Sequence, residues 1–272
     1  MGLIEAIILG VVQGITEFLP VSSSGHLVLL QKIFGISEPA LLFDTMLHVG
    51  TLFAIFFVLW KDILRILKNP LQRITGLLII ATIPTVIIAL IFKDFIKETF
   101  ASAAYIGFFF FITAAALFIA EYLSKRAGKT RNEAEMNWKD SLIIGILQAV
   151  AIMPAISRSG LTLSGALSRK LDREFAAKFS FLMAIPAILG ALVFQLKDLA
   201  GNKVSSGETI ELLPVILGTV TAAIVGIFSV KLMLKIVKEK SLVGFAIYVA
   251  ILGYLILFDQ YVTHFYFKIR SI

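Results

Sequence analysis

The chain has 272 residues, 58% of them hydrophobic and only 16% charged, with a net charge of +7 and 23 phenylalanines; its mean hydropathy is +0.94. Soluble domains carry about 25% charged residues, so there is too little polar surface here to clothe a soluble core. The basic excess lies between apolar segments, where it reads as a topology signal and not as a nucleic-acid patch; the lack of cysteine excludes disulfides, thiolate nucleophiles and Cys-ligated metals.

In chain order, the first apolar stretch is Met1–Ser37. It lacks the basic start and small-residue cleavage site of a signal peptide and is expected to stay on the mature protein. It is broken near its middle by QGITEFLPVSSSGHLVLL, Gln13–Leu30. Clean apolar spans follow at Phe43–Trp60, Ile74–Phe92 and Ala103–Tyr122. A second broken stretch occupies Ser141–Leu171, followed by spans at Phe179–Leu196, Leu212–Val230 and Leu242–Phe258. A spanning helix needs about 20 mostly apolar residues. The expectation is an all-α polytopic membrane protein with six spanning helices plus two broken re-entrant helical hairpins.

The two broken stretches resemble each other. At an offset of 135 positions, Ile8 meets Ile143, Gly10 meets Gly145, Gln13 meets Gln148, Ser22 meets Ser157, Ser24 meets Ser159 and Gly25 meets Gly160. Each stretch is followed by three spans, which makes an internal duplication the simplest reading. A single membrane domain, 1–272, is expected, built of repeats of roughly 1–136 and 137–272. If each broken stretch enters and leaves on one side, each half crosses an odd number of times, and the repeats have inverted topology. That architecture places a polar site at the repeat interface near mid-membrane. Segments 61–73, 124–140, 169–178 and 231–240 hold 17 of the 25 Lys and Arg, and the segments assigned to the opposite side hold 7. The richer side is therefore cytoplasmic, and the first break opens outward.

Polar residues inside such a chain need a reason, because irregular backbone at membrane depth survives only where protein or water satisfies it. Each break offers a serine N-cap and a helix start, whose free N–H groups suit an anion. The second adds Arg158 between Ser157 and Ser159; arginine suits phosphate or carboxylate. In the first, Glu17 lies four residues after Gln13, on the same helix face. Glu17 can hold a divalent cation or move a proton. His26 can act as base, acid or nucleophile toward phosphorus. Ser22, Ser23 and Ser24 are nucleophile or phosphate-donor candidates. Phosphate binding alone needs neither Glu17 nor His26, so the set points to hydrolysis. Asp44 and His48, an i, i+4 pair in the third apolar stretch, either line the same cavity or form a helix–helix polar contact. Plainer roles stand beside the others too: serines as caps, His26 as a core histidine, Glu17 paired structurally with Arg158, and Gln13 and Gln148 bonding between helices.

These residues carry a resemblance. QGITEFLPVSSSGH and MPAISRSGLT are similar to the two signature regions of the bacitracin-resistance family of undecaprenyl-diphosphate phosphatases. One is a Glu-or-Gln, three residues, Glu element, matched by Gln13 and Glu17. The other is a Pro-Gly-x-Ser-Arg-Ser-x-x-Thr element, matched by Pro154, Ser157, Arg158, Ser159 and Thr162. The family's glycine is Ala155 here, a departure that alters turn flexibility but no chemical group. The resemblance implies an integral enzyme of the bacterial inner membrane, its site facing outward. It removes the terminal phosphate of undecaprenyl diphosphate, which recycles the carrier lipid for cell-wall synthesis and confers bacitracin resistance. It also implies a divalent cation, Mg or Ca. On that reading Glu17, Ser23, His26 and Arg158 are catalytic, with Glu17 also holding the metal. Gln13, Ser22, Ser24, Ser157, Ser159 and Thr162 bind substrate. Ser23, His26 and an activated water are all left open as the nucleophile. Membrane lipids are the expected surroundings, no nucleic-acid partner is expected, and a homo-oligomer is left open. The rival is a lipid-phosphate flippase of the same architecture.

Overall fold

The computed structural model describes residues 1–36, 41–126, 128–201 and 212–267. The elements named among them are helices, with one isolated bridge between Arg131 and Leu171. Both broken stretches fold as helical hairpins. The first is α1 (Leu3–Thr16) and α2 (Ser23–Ile33); the second is α8 (Trp138–Val150) and α9 (Arg158–Ser168). Ser23 and Arg158 open their helices at positions related by the same offset that aligns the two sequences. Each opening is capped by the preceding serine. Ser22 Oγ accepts from the Gly25 N–H at 3.3 Å, and Ser157 Oγ from the Gly160 N–H at 3.0 Å. Such acceptors matter at helix starts, whose first N–H groups have no intrahelical partner.

The ends of each hairpin meet. Fully buried Asp140, at the start of α8, accepts from Arg169 Nε at the end of α9 at 2.8 Å and from Arg131 at 2.8 Å. In the first hairpin, Ala6 and Leu9 of α1 cluster with Leu27, Leu30 and Phe34 at the α2 side.

The remaining α-helices are α3 (Leu41–Val58), α4 (Trp60–Lys68), α5 (Arg73–Ile91), α6 (Lys93–Ser102), α7 (Ile106–Lys125), α10 (Arg173–Gly201), α11 (Leu212–Glu239) and α12 (Val243–Phe258). Among the described residues five helices are long and apolar enough to cross a membrane, and six if the pair α3 and α4, bent by 80°, counts as one span. Three segments expected as loops are largely helical. Trp60 does not end a span but opens α4, whose Lys61, Arg65 and Lys68 alternate with apolar residues in the manner of a helix lying along an apolar–polar boundary. Segment 93–101 is α6. Helix α11 runs past the predicted Val230, so Lys231, Lys235 and Lys238 ride its last turns; long lysine stems tolerate this, and a helix C-terminus favours the charge.

Small residues set the packing. Gly10 of α1 faces the Gly218 carbonyl of α11, where an added Cβ would stand 2.5 Å from the oxygen; Gly14 meets Ala222 and Gly226. The order of these contacts makes α1 and α11 parallel. Gly145 of α8 meets Ala81 of α5, and Gln148 Nε2 donates to Thr85 Oγ1 at 3.1 Å, so α8 and α5 are also parallel. By contrast α7 and α12 run antiparallel: Gly107 packs on Gly253 and Leu257, while Glu121 accepts from the Leu242 N–H at 3.2 Å. In lipid, close approach of this kind replaces the hydrophobic drive between helices. The outer faces stay apolar, with Ile79, Phe108, Ile224 and Tyr254 exposed.

Candidate active site between the two breaks

Glu17 directly follows α1 and keeps its helical backbone, donating its N–H to the Gln13 carbonyl at 3.0 Å. The Gln13 and Glu17 side chains therefore share a face, and Gln13 Nε2 donates to Glu17 Oε2 at 3.0 Å. Ser23 Oγ donates to the same Oε2 at 2.7 Å. From the second break, Arg158 Nη2 donates to Glu17 Oε1 at 2.5 Å, and Nη1 donates to the Ser180 carbonyl of α10 at 3.3 Å. The Glu17 side chain is 6% exposed and that of Arg158 15%. A carboxylate so deeply placed is tolerable only with this many donors.

Two serines join the breaks. Ser24 Oγ accepts from the Ala155 N–H at 3.2 Å, and Ser159 Oγ donates to the Leu19 carbonyl at 3.0 Å. Their hydroxyls also lie near those of Ser22 and Ser157, at 3.4 and 3.3 Å. Ser157 is further fixed by its N–H donating to Thr113 Oγ1 of α7 at 2.9 Å. Thr162 Oγ1 contacts the Arg158 carbonyl at 2.8 Å and Ser180 Oγ at 2.6 Å. In this arrangement it braces the turn that carries Arg158. Ala155 has φ +62°. A left-handed backbone costs an L side chain about 1–2 kcal/mol, which is the physical reason a glycine suits this position.

His26 is buried but stands apart from Ser23 and Glu17 in its bonding. Its Nδ1 lies 2.7 Å from the Ser22 carbonyl and its Nε2 2.8 Å from the Tyr248 hydroxyl of α12. A carbonyl only accepts, so Nδ1 carries a proton and the Nε2 of a neutral ring accepts from Tyr248. The Tyr248 ring stacks on the imidazole at 5.7 Å, and Phe110 meets it edge-on at 5.8 Å. Tyr248 carried no sequence signal; it is one aromatic residue among many in an apolar span. It also lines an apolar cleft of about 550 Å³ together with Leu19 and Val21 of the first break and Phe245 of α12.

His48, which the sequence left between lining the cavity and a helix–helix polar contact, belongs to the cluster. Its Nε2 lies 3.5 Å from Glu17 Oε2. Gln148, the counterpart of Gln13, is occupied with Thr85 and has Ile152 where Glu17 stands.

The described residues thus form an all-helical protein with the apolar helices of a multi-pass membrane protein and a buried Glu–Arg–Ser cluster between two helix breaks. A family model described as Bacitracin resistance protein BacA matches residues 6–255, and the chain belongs to that family. A protein named undecaprenyl-diphosphatase from Carboxydothermus hydrogenoformans is 48% identical over 260 residues, 96% of this chain and 98% of its own. Undecaprenyl-diphosphatase 4 from Bacillus thuringiensis subsp. konkukian is 45% identical over 261 residues, 96% of this chain and 98% of its own. An undecaprenyl-diphosphatase from Methanosphaera stadtmanae is 40% identical, with 93% of this chain and 96% of its own covered.

Proposed function

We propose that the protein is a phosphatase of the bacterial cell membrane that hydrolyses undecaprenyl diphosphate to undecaprenyl phosphate and inorganic phosphate. It thereby recycles the lipid carrier of cell-wall synthesis and confers bacitracin resistance. The observation that carries this is the convergence of Glu17, Ser23 and Arg158 from two separate breaks inside an apolar bundle. Relatives named for this activity cover nearly the whole chain.

The prenyl chain occupies the apolar cleft and the lipid beyond it, and the diphosphate enters between the breaks. Arg158 turns from Glu17 to the terminal phosphate, joined by the hydroxyls of Ser22, Ser24, Ser157 and Ser159 and the N–H groups at the start of α9. Thr162 holds the Arg158 turn. As charge builds on the phosphoryl oxygens, Arg158 stabilises it in a site of low dielectric. Ser23 is the favoured nucleophile because its hydroxyl already donates to Glu17. Glu17 takes the proton as Ser23 Oγ bonds to phosphorus, and the bond to the bridging oxygen breaks with undecaprenyl phosphate as the leaving group. Water then cleaves the phosphoserine and the proton returns from Glu17. His26, shielded by Tyr248, supports the first break and enters only if Tyr248 moves.

The residues present fit a hard divalent cation, Mg or Ca. Gln13 Oε1 is fully buried without a donor, while the Nε2 of the same amide donates to the Glu17 carboxylate, and oxygen donors are what such ions take. Among the described residues no group of three His, Asp or Glu could hold a metal, so phosphate oxygens and water would complete the shell. Bound there, the ion neutralises phosphate charge.

We further propose that two inverted repeats build this single domain, with the site open to the outer face. Supporting this, α7 and α12, equivalent under the sequence offset, run antiparallel. Helix α1 packs on α11 as its counterpart α8 packs on α5, with equivalent Gly10 and Gly145 at the contacts. The decisive experiment is phosphate release from undecaprenyl diphosphate by purified protein in detergent, with and without EDTA, in wild type and Arg158→Ala. Metal-dependent release lost in the variant supports the phosphatase. No release from folded, substrate-bound protein overturns it in favour of a lipid-phosphate flippase.

A further inference from the structure

His48 sits on α3, outside both breaks and outside the residues that bind or attack phosphate above. Its ring is oriented from behind: Nδ1 lies 2.7 Å from the Asp44 carbonyl and therefore carries a proton. Asp44 itself is anchored to α2, since Gln31 Nε2 donates to Asp44 Oδ1 at 2.7 Å. With Nδ1 occupied, the free Nε2 of a neutral ring presents its lone pair, and what it faces is Glu17 Oε2 at 3.5 Å. Two lone-pair-bearing atoms turned toward each other repel unless a proton or a metal cation lies between them. Donation of the second ring N–H to a backbone carbonyl is also the habit of metal-binding histidines.

A second observation is independent of the histidine. Gln13 is completely buried and its Oε1 has no donor, while its Nε2 is 3.0 Å from the same Glu17 oxygen. A buried acceptor without a donor is costly, and a cation at Glu17 would satisfy it. The spacing agrees as well: two adjacent ligands at roughly 2.1–2.5 Å from one ion stand roughly 3.0–3.5 Å apart.

We propose, building on the metal-dependent phosphatase function above, that His48 is a metal ligand of this site. In this arrangement its Nε2 joins Glu17 Oε2 and Gln13 Oε1 on one divalent cation. A nitrogen ligand shifts preference away from the hardest ions, since imidazole suits transition metals while all-oxygen sets suit Mg and Ca. Mn2+ is then expected to bind more tightly than Ca2+.

The test uses full-length protein in detergent with Mn2+ as the probe. Free Mn2+ is titrated by its six-line electron paramagnetic resonance signal, and bound Mn2+ is examined by electron spin-echo envelope modulation for 14N coupling. The chain has three histidines, so His26→Gln, His48→Gln and His264→Gln are compared, with Glu17→Gln as the site control and size-exclusion profiles as the folding control. One bound Mn2+ per chain is expected, with a 14N coupling that among the three histidine variants vanishes only in His48→Gln, and with the site lost in Glu17→Gln. The dissociation constant should rise at least about tenfold, since even outer-shell changes cost that much. A Glu17-dependent site without 14N coupling, or a coupling that survives His48→Gln, overturns the proposal and makes the contact a Glu–imidazolium pair. Phosphate release that persists in EDTA, with no Mn2+ bound, overturns it while leaving the phosphatase intact. A nitrogen-coupled site in protein that releases no phosphate leaves the ligand assignment standing and removes the phosphatase.

Discussion

Arg158 and Glu17 are 141 positions apart in the chain, yet the guanidinium stands 2.5 Å from the carboxylate. Each comes from the break of a different helical hairpin, and neither hairpin could bury its own charged residue alone. Taking one ion out of water costs several kcal/mol, and the partner recovers this only through close, well-hydrogen-bonded contact. The pair thus couples the assembly of the two breaks to the formation of the site.

Removing Arg158 leaves Glu17 buried without its guanidinium, held only by the Gln13 and Ser23 donors and facing His48. Arg158→Ala is expected to lose about 3–5 kcal/mol of stability in denaturant unfolding from detergent, and about 10²–10³-fold in phosphate release, as for loss of a transition-state donor. The double variant Arg158→Met with Glu17→Gln should regain part of the stability and none of the activity. Stability losses that simply add across the two positions would show that the contact is not energetically coupled.

The serines separate into two groups. Ser24 and Ser159 bridge the breaks, so Ser24→Ala should cost about 1–3 kcal/mol by leaving the Ala155 N–H without a partner, and Ser159→Ala only about 1 kcal/mol, because the Leu19 carbonyl still accepts from the Val21 N–H at 2.8 Å. Ser23→Ala loses only its bond to Glu17 and should change stability by about 1 kcal/mol or less, while phosphate release falls at least about 100-fold. Thermal unfolding and single-turnover assays on the three variants distinguish these patterns. Activity retained in Ser23→Ala would exclude Ser23 as the nucleophile and favour water.

Much of this was legible in the sequence. The two breaks, their serine caps and the offset between them were visible because helix interruptions need Pro, Ser and Gly, and no lipid-facing helix would otherwise carry Glu17 or Arg158. The spacing of Gln13 and Glu17 placed them on one face correctly. The bend at Leu59 was not legible, because apolar residues continue through it and only the later charges betray a change of direction. Tyr248 could not be found for a different reason: its partner His26 is 222 positions away, and a phenol in an apolar span reads as an interfacial aromatic. His48 fell between these cases. Its type and spacing marked it, but the contact with Glu17 depends on how α3 packs beside the first break.

Tyr248→Phe keeps the ring that stacks on His26 and removes the hydroxyl that donates to Nε2. The freed nitrogen should react several-fold faster with diethyl pyrocarbonate, read at His26 by mass spectrometry. Because Ser23 and Glu17 are untouched, phosphate release should stay within about threefold of wild type. A large fall would mean that the Tyr248–His26 bond itself belongs to the chemistry.

Gly25 sits where α2 approaches α7 and the second break. An added Cβ would run into the Phe110 ring and stand 3.0 Å from the Ala155 Cβ. Phe110 is fully buried and cannot swing into lipid, and Ala155 is held in its left-handed turn. Gly25→Ala is therefore expected to cost about 1–3 kcal/mol through overpacking. It should also push α2 away from Ala155, lengthening the Ser24 bridge and reducing phosphate release together with stability. Phe110→Leu, which shortens the obstructing ring, should restore part of both when combined with Gly25→Ala although it is destabilising alone. Unfolding midpoints of the two single variants and the double variant decide this. Purely additive losses would place the strain of Gly25→Ala elsewhere than at Phe110.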